Sequence, residues 1–339
     1  MKGMILKMNF NYKKLRWSIK WNRFKHKKYY EEYENFEKYL VVSKKFDLQF
    51  LYLVPKMKGI ILKIDDKHLN NVELIKTIAE YYYNKEIIIE EHSKVLEIKD
   101  IRDLYKLNRH IILNNVYIEK GHYRGSNEVY QCDINTYILI IDKIEFLLKI
   151  CTKYFKSEEE RIIFIISQIT KYIKYVKYHD YRTCLANSIL LGTGVCIDFS
   201  ITIYKCLTEL GYECEILNGI SVGKKEDLYS NVQIAKKNDH AWNQIKINNI
   251  WYNTDITWFL ADNDFKWILT SDEIFKENYR HITNRQRHIC KESFDREKLT
   301  YIWNNVNKYK SVLKEYDKGN KSVNNFRRKL NIGYYNLKI

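Results

Sequence analysis

Proline is almost missing from this chain: Pro55 is the one residue of its kind in 339, and glycine numbers only 11. No Pro- or Gly-rich linker therefore marks a domain boundary. The seven cysteines (Cys132, Cys151, Cys184, Cys196, Cys206, Cys214 and Cys290) are odd in number and irregularly spaced. That pattern does not suit a disulfide framework, and no CxxC pair suggests a zinc site. No apolar run is long enough to cross a bilayer. Tyr137–Cys151 is broken by Asp142, Lys143 and Glu145, and Ile162–Ile173 is too short. The N-terminus lacks a sustained apolar stretch followed by a small-residue cleavage site. Within residues 45–120 no glycine-rich phosphate loop and no metal-ligand cluster stands out, and no cofactor is expected. The expectation is a soluble, reduced, cytoplasmic protein with no transmembrane segment.

Acidic residues are also missing from the first 30 positions, which hold ten Lys or Arg, from Lys2 to Lys28. Ten of the sixteen net positive charges thus sit on residues 1–30, within an N-terminal arm taken as residues 1–44. Residues 12–40 read as helical, with Trp17, Trp21 and Phe24 along one stripe. Such an arm could meet an anionic surface or nucleic acid, although a solvated basic terminus whose stripe packs on its own domain is the commoner outcome.

With 45% hydrophobic and 29% charged residues, the chain as a whole has a globular balance. Residues 45–120 read as a small α/β region of unknown role. It has strands near 57–64, 86–91 and 110–118, and helices near 71–83 and 100–107. Lys120–Asp133 is the candidate boundary. Helices over about 134–154 and 157–177 follow, the second capped by Ser157. Gly192-Thr193-Gly194 allows a tight turn, and Val195–Leu210 has helical periodicity until Gly211 stops it. Strands are expected at 213–222, 241–247 and 250–255. The remainder reads as mostly helical and basic, with a short strand at Trp267–Leu269. A core is therefore placed at 134–290 and a helical extension at 291–339.

Cys196 falls in the first turn of its helix, where the helix dipole favours a thiolate, and a neighbouring imidazolium would add to that. Cys206, on the apolar face of the same helix, reads as a buried structural cysteine. Asn248-Asn249 suits a two-residue hairpin turn because asparagine tolerates positive φ. With that turn Asp255 lies opposite Trp242, on the sheet face of His240 and diagonal to it, roughly 7–8 Å away at the backbone. A three-residue loop would separate them. Cys196, His240 and Asp255 are thus the candidate catalytic residues: nucleophile, general base, and the carboxylate that holds the imidazole. The backbone N–H of Cys196 would donate to the oxyanion, and a second donor is not assigned.

Three motifs carry a resemblance. Gly194-Val195-Cys196 stands at the helix start, His240-Ala241-Trp242-Asn243 on a strand, and Trp251-Tyr252-Asn253-Thr254-Asp255-Ile256-Thr257-Trp258 after it. Together they resemble the transglutaminase-like superfamily over roughly residues 135–285. The resemblance implies an α+β, papain-like core, in which a cysteine-bearing helix packs on an antiparallel sheet carrying His and Asp. It also implies acyl transfer or hydrolysis at amide bonds of a protein or peptide. Leu269-Thr270-Ser271-Asp272 … Tyr279-Arg280-His281 is similar to a tail of bacterial members, in which His281 would be structural. No glutamine stands between Tyr181 and Cys196, where a papain-type peptidase carries an oxyanion donor. Asp262 and Asp264 alone do not make the acidic cluster of a calcium site. The competing reading is a catalytically silent module of this fold that binds protein or cell-surface polymer.

Overall fold

The computed structural model describes residues 39–42, 58–63, 71–90, 96–114, 131–176, 185–221, 240–277, 281–283, 288–325 and 327. The basic arm and its stripe of Trp17, Trp21 and Phe24 lie outside the described residues. Tyr39 and Leu40, at the end of the expected helix, belong instead to a strand.

Five strands make the first sheet: β1 (Tyr39–Val42), β2 (Gly59–Lys63), β3 (Glu86–Glu90), β4 (Ile111–Asn114) and β5 (Gln131–Asp133). They lie side by side in chain order; β1 to β4 are parallel and β5 returns antiparallel. Helix α1 (Val72–Tyr81) connects β2 to β3, and α2 (Ile98–Leu107) connects β3 to β4. Parallel neighbours need such crossovers. Alternate residues Leu40, Val42, Ile60, Leu62, Ile87, Ile89, Ile111 and Leu113 are buried in one core with Ile75, Ile78, Ile101 and Leu104 of the helices. That period of two is the strand signature the Ile-rich runs carry.

Asp133 ends β5 and caps α3 (Ile134–Tyr154), its carboxylate accepting from the Thr136 N–H at 3.0 Å. Helix α3 belongs to two cores. Ile134, Tyr137, Ile138 and Ile141 pack under the first sheet. Ile140, Ile144, Leu147 and Cys151 enter a second, larger core. Helix α4 (Glu158–Tyr172) starts at Ser157 with the expected cap, and Glu160 reaches back to the Ser157 N–H. Ile162, Phe164, Ile165, Ile166 and Ile169 are all fully buried, so α4 is apolar on every side and runs through the middle of that core.

Strands β6 (Lys174–Tyr175) and β7 (Thr193–Gly194) pair in parallel, and the second large sheet is antiparallel in the order β10-β9-β8-β11. Its strands are β8 (Cys214–Ser221), β9 (His240–Ile247), β10 (Ile250–Thr254) and β11 (His281–Ile282). Helix α5 (Cys196–Glu209) packs on β8 and β9. A left-handed Gly211 ends it, as expected: the Gly211 N–H bonds the Thr208 carbonyl and the Tyr212 N–H bonds that of Leu207. After β10 comes α6 (Ile256–Asp262). The strand expected at Trp267–Leu269 is not formed; Phe265–Trp267 is a 3-10 turn, and a single bridge joins Asn253 to Thr270.

Helices α7 (Asp272–Phe275), α8 (Arg296–Asn307) and α9 (Val312–Gly319) complete the described order. Leu299, Ile302, Trp303, Val306 and Leu313 are buried in the same core as α4. At the meeting of α3, α4 and α9, the fully buried Lys143 donates to the Tyr172 hydroxyl and to Asp317. Arg327 donates to the other Asp317 oxygen at 2.6 Å. Burial pulls the Lys143 ammonium down to about 7 against the pull of Asp317. Among the described residues no helix is long and apolar enough to cross a membrane.

Candidate active site

The turn before α5 is built for close approach. A Cβ on Gly194 would stand 2.6 Å from Cβ of Asp198, so only glycine leaves room for that side chain. Asp198 uses the room to accept the Val195 N–H at 2.7 Å, which closes the first turn of the helix. Cys196 is the first helical residue and is partly exposed. Cys151, Cys206, Cys214 and Cys290 are buried, and burial pushes Cys151, Cys206 and Cys290 up to about 12 and Cys214 up as well. A thiol so placed is inert. Cys206 is among them, as its position on the apolar helix face implies. Of the five cysteines whose side chains are described, Cys196 alone is in a position to react.

His240 opens β9 opposite Gly219 of β8. The hairpin to β10 turns at Asn248 and Asn249, both left-handed at φ 49° and 67°, which is the two-residue turn that right-handed strand twist favours. Ile250 therefore pairs with Ile247 and Thr254 with Asn243. One residue further, Asp255 falls on the face of Trp242 and His240, and the two side chains meet: His240 Nε2 lies 2.5 Å from Asp255 Oδ2. Cys196 is close enough to His240 to add to the interactions that raise its proton affinity. All three residues singled out in the sequence are thus brought together.

Asp255 is held at several points. It caps α6, with Oδ1 accepting the Trp258 N–H at 3.1 Å. Its own N–H donates to the Trp267 carbonyl at 2.8 Å. Oδ2 has a second neighbour that sequence reasoning had assigned only a structural part, His281 Nε2 at 2.7 Å. A separation of 26 positions puts that contact beyond any local pattern; the tail motif around Asp272 and His281 is its one trace.

Electrostatics follow from burial and pairing. Burial works against a charged His240, but the Asp255 charge and hydrogen bond, with Cys196, outweigh it and raise the imidazole to about 10. Burial likewise works against the Asp255 carboxylate. The His240 charge and the two imidazole bonds outweigh that and hold it well below the usual carboxylate range. For His281 burial wins and lowers the pKa. Donor atoms of His240, Asp255 and His281 lie within 4.8 Å of one another, close enough to hold a metal ion. Both Nε2 atoms already lie at hydrogen-bond distance from one carboxylate oxygen, however. A metal would need the lone pairs of the nitrogens that donate there.

Residues 149–256 match the family model described as the Transglutaminase-like superfamily, a span that contains Cys196, His240 and Asp255. Among solved structures the chain is similar to a candidate cysteine protease from Cytophaga hutchinsonii. Identity is 17%, the overlap covers 36% of this chain and 37% of that one, and the TM-score is 0.26. It is also similar to a solved TGase at 14% identity, over 52% of this chain and 50% of that one, with a TM-score of 0.29. The chain thus spans half or less of these structures, and overlaps of this quality carry no argument about activity. No curated protein matches the chain.

Proposed function

From the premise that residues 149–256 form a transglutaminase-like domain on an α+β, papain-like core, we propose that the chain is a cysteine enzyme acting on amide bonds of a protein or peptide. Domains of this superfamily often belong to cysteine enzymes. The observation that carries the proposal is the buried His240–Asp255 pair, set beside a partly exposed Cys196 at a helix start.

In this reading Cys196 Sγ gives its proton to His240 Nδ1 and attacks the amide carbonyl carbon. The raised proton affinity of His240 favours that transfer. The carbonyl π pair moves to oxygen, where the Cys196 backbone N–H stabilises it. When the C=O re-forms, the C–N bond breaks and the departing amine takes the Nδ1 proton, leaving a thioester on Cys196. Water or an amine then adds to the thioester, passing its proton to Nδ1, and collapse expels the sulfur, which recovers that proton. Asp255 keeps the imidazole in the tautomer with hydrogen on Nε2 and stabilises the cation. The same three side chains serve hydrolysis and transfer; the acceptor that reaches the thioester decides between them.

The test is iodoacetamide labelling with mass-spectrometric mapping of all seven cysteines between pH 5 and 9, on the natural chain and on His240→Ala. Fast labelling of Cys196 alone below neutral pH, lost in the variant, is the expected result. Slow and unselective labelling would refute an activated nucleophile and favour a binding module.

A further inference from the structure

His281 is the second imidazole on Asp255 Oδ2, and its contacts suit more than packing. The ring is fully buried. It stacks on Phe275 with centroids 3.9 Å apart and lies edge-on to Trp242 and Trp258. Aromatic neighbours of that kind would accept a phenylalanine equally well. What a phenylalanine could not do is donate to Asp255. An ionised carboxylate only accepts, so the hydrogen at the 2.7 Å contact belongs to His281 Nε2. The acceptor is Oδ2, the same oxygen that takes the Nε2–H of His240 at 2.5 Å. Nδ1 of His281 lies 3.2 Å from the Phe275 carbonyl, but with the single hydrogen of a neutral ring on Nε2 it has none to donate there.

We infer that His281 is a positioning residue for the candidate site: its Nε2–H aims Asp255 at His240 and shares the carboxylate's charge, setting how firmly His240 holds its proton. The inference rests on the proposed roles of Cys196 and His240. Two donors on one oxygen divide its negative charge, and each bond is weaker than it would be alone. His281 therefore holds the affinity of His240 below what an undivided Asp255 would produce, while pinning the carboxylate with a group that does not itself touch the thiol. Among the described residues, the titratable groups at this cluster are His240 on β9, Asp255 at the end of β10 and Cys196 on α5. The other rings in contact with His281, including Trp267, are uncharged.

The experiment compares the natural chain, His281→Phe and His281→Gln by the pH dependence of Cys196 alkylation from pH 6 to 11, with thermal melting of each. Phenylalanine keeps the packing and loses the donor; glutamine carries an N–H at a similar reach. In His281→Phe, the alkaline step at which His240 loses its proton should move up by about one pH unit, roughly tenfold in proton affinity. In His281→Gln it should stay near its natural position. An unmoved step in a natively melting His281→Phe overturns the inference. Should that variant fail to fold, nitrogen-15 NMR of the histidines in the natural chain decides: a His281 without hydrogen on Nε2 overturns it, and a low-field Nε2–H supports it. Loss of selective, His240-dependent labelling in the natural chain itself would instead sink the proposed function.

Discussion

Replacing Asp255 by Asn should flatten the alkaline side of the stability profile. In the folded chain His240 is raised from an ordinary 6.5 to about 10, with burial opposing and Asp255 overcoming it. A group whose folded pKa is raised contributes stability that is fully present below its unfolded pKa and is lost as pH climbs through the folded one. The window therefore opens near pH 6.5 and closes near 10. At ~1.4 kcal/mol per pH unit, the contribution has a ceiling of about 5 kcal/mol. The depressed Asp255 reports the same pair from its other partner, so the two are counted once; its own window lies on the acid side, lost as pH falls below ~4. Asparagine can still cap α6 but has no charge to hold His240. Urea unfolding of both proteins at half-unit intervals from pH 5 to 10 gives the difference in free energy at each pH. Contributions from Lys143 and the buried thiols are common to both and cancel. The difference should shrink by several kcal/mol between pH 6.5 and 10. A difference constant to within about 1 kcal/mol across that window would refute a charged His240–Asp255 pair.

Two further outcomes test the frame. Asp317→Ala should lower stability by about 3–5 kcal/mol, because it leaves the fully buried Lys143 without its carboxylate. The loss should be largest below pH 7, where Lys143 carries its proton, and denaturant titrations at pH 6 and 9 check both size and sign. At the hairpin, Asn249→Gly should be neutral or slightly stabilising and Asn249→Val should cost about 1–2 kcal/mol, since the position is left-handed at φ 67°. Equal midpoints for the glycine and valine variants would contradict that turn.

The site could be read from the sequence because each part rests on a local signal. Cys196 follows a turn that needs Gly194, and Gly211 times the end of its helix. The two asparagines fix an even loop, and parity alone then carries Asp255 to the face of His240. What stayed hidden depends on partners distant along the chain. Tyr39–Val42 becomes a strand because it pairs with Gly59–Leu62, distant along the chain, although its neighbours have helical periodicity. Trp267 has a strand-like sequence but turns in a 3-10 helix, and its backbone carbonyl takes the Asp255 N–H. Helix α3 reads as one amphipathic segment, and nothing in its periodicity says that successive turns serve different cores. His281 needed the folded sheet before its acceptor could be seen.

The parity that joins His240 to Asp255 is also enforced from outside the hairpin. The Asn248 N–H donates to Glu158 at 3.0 Å and its amide to Glu159 at 2.9 Å, both at the start of α4. Lys298 of α8 donates to the same Glu159 oxygen at 2.9 Å, and with the Asn248 bond it holds that carboxyl at about 2. Glu159 is nine-tenths buried, so these bonds form with little water to compete. A turn of two left-handed residues is intrinsically strained for anything but Gly, Asn or Asp. Tying its first residue to the end of a central helix removes the room in which the loop could lengthen or slip. The segment beyond residue 291 thus bears on the chemistry without approaching it: through Lys298 and Glu159 it steadies the turn that sets which face Asp255 occupies.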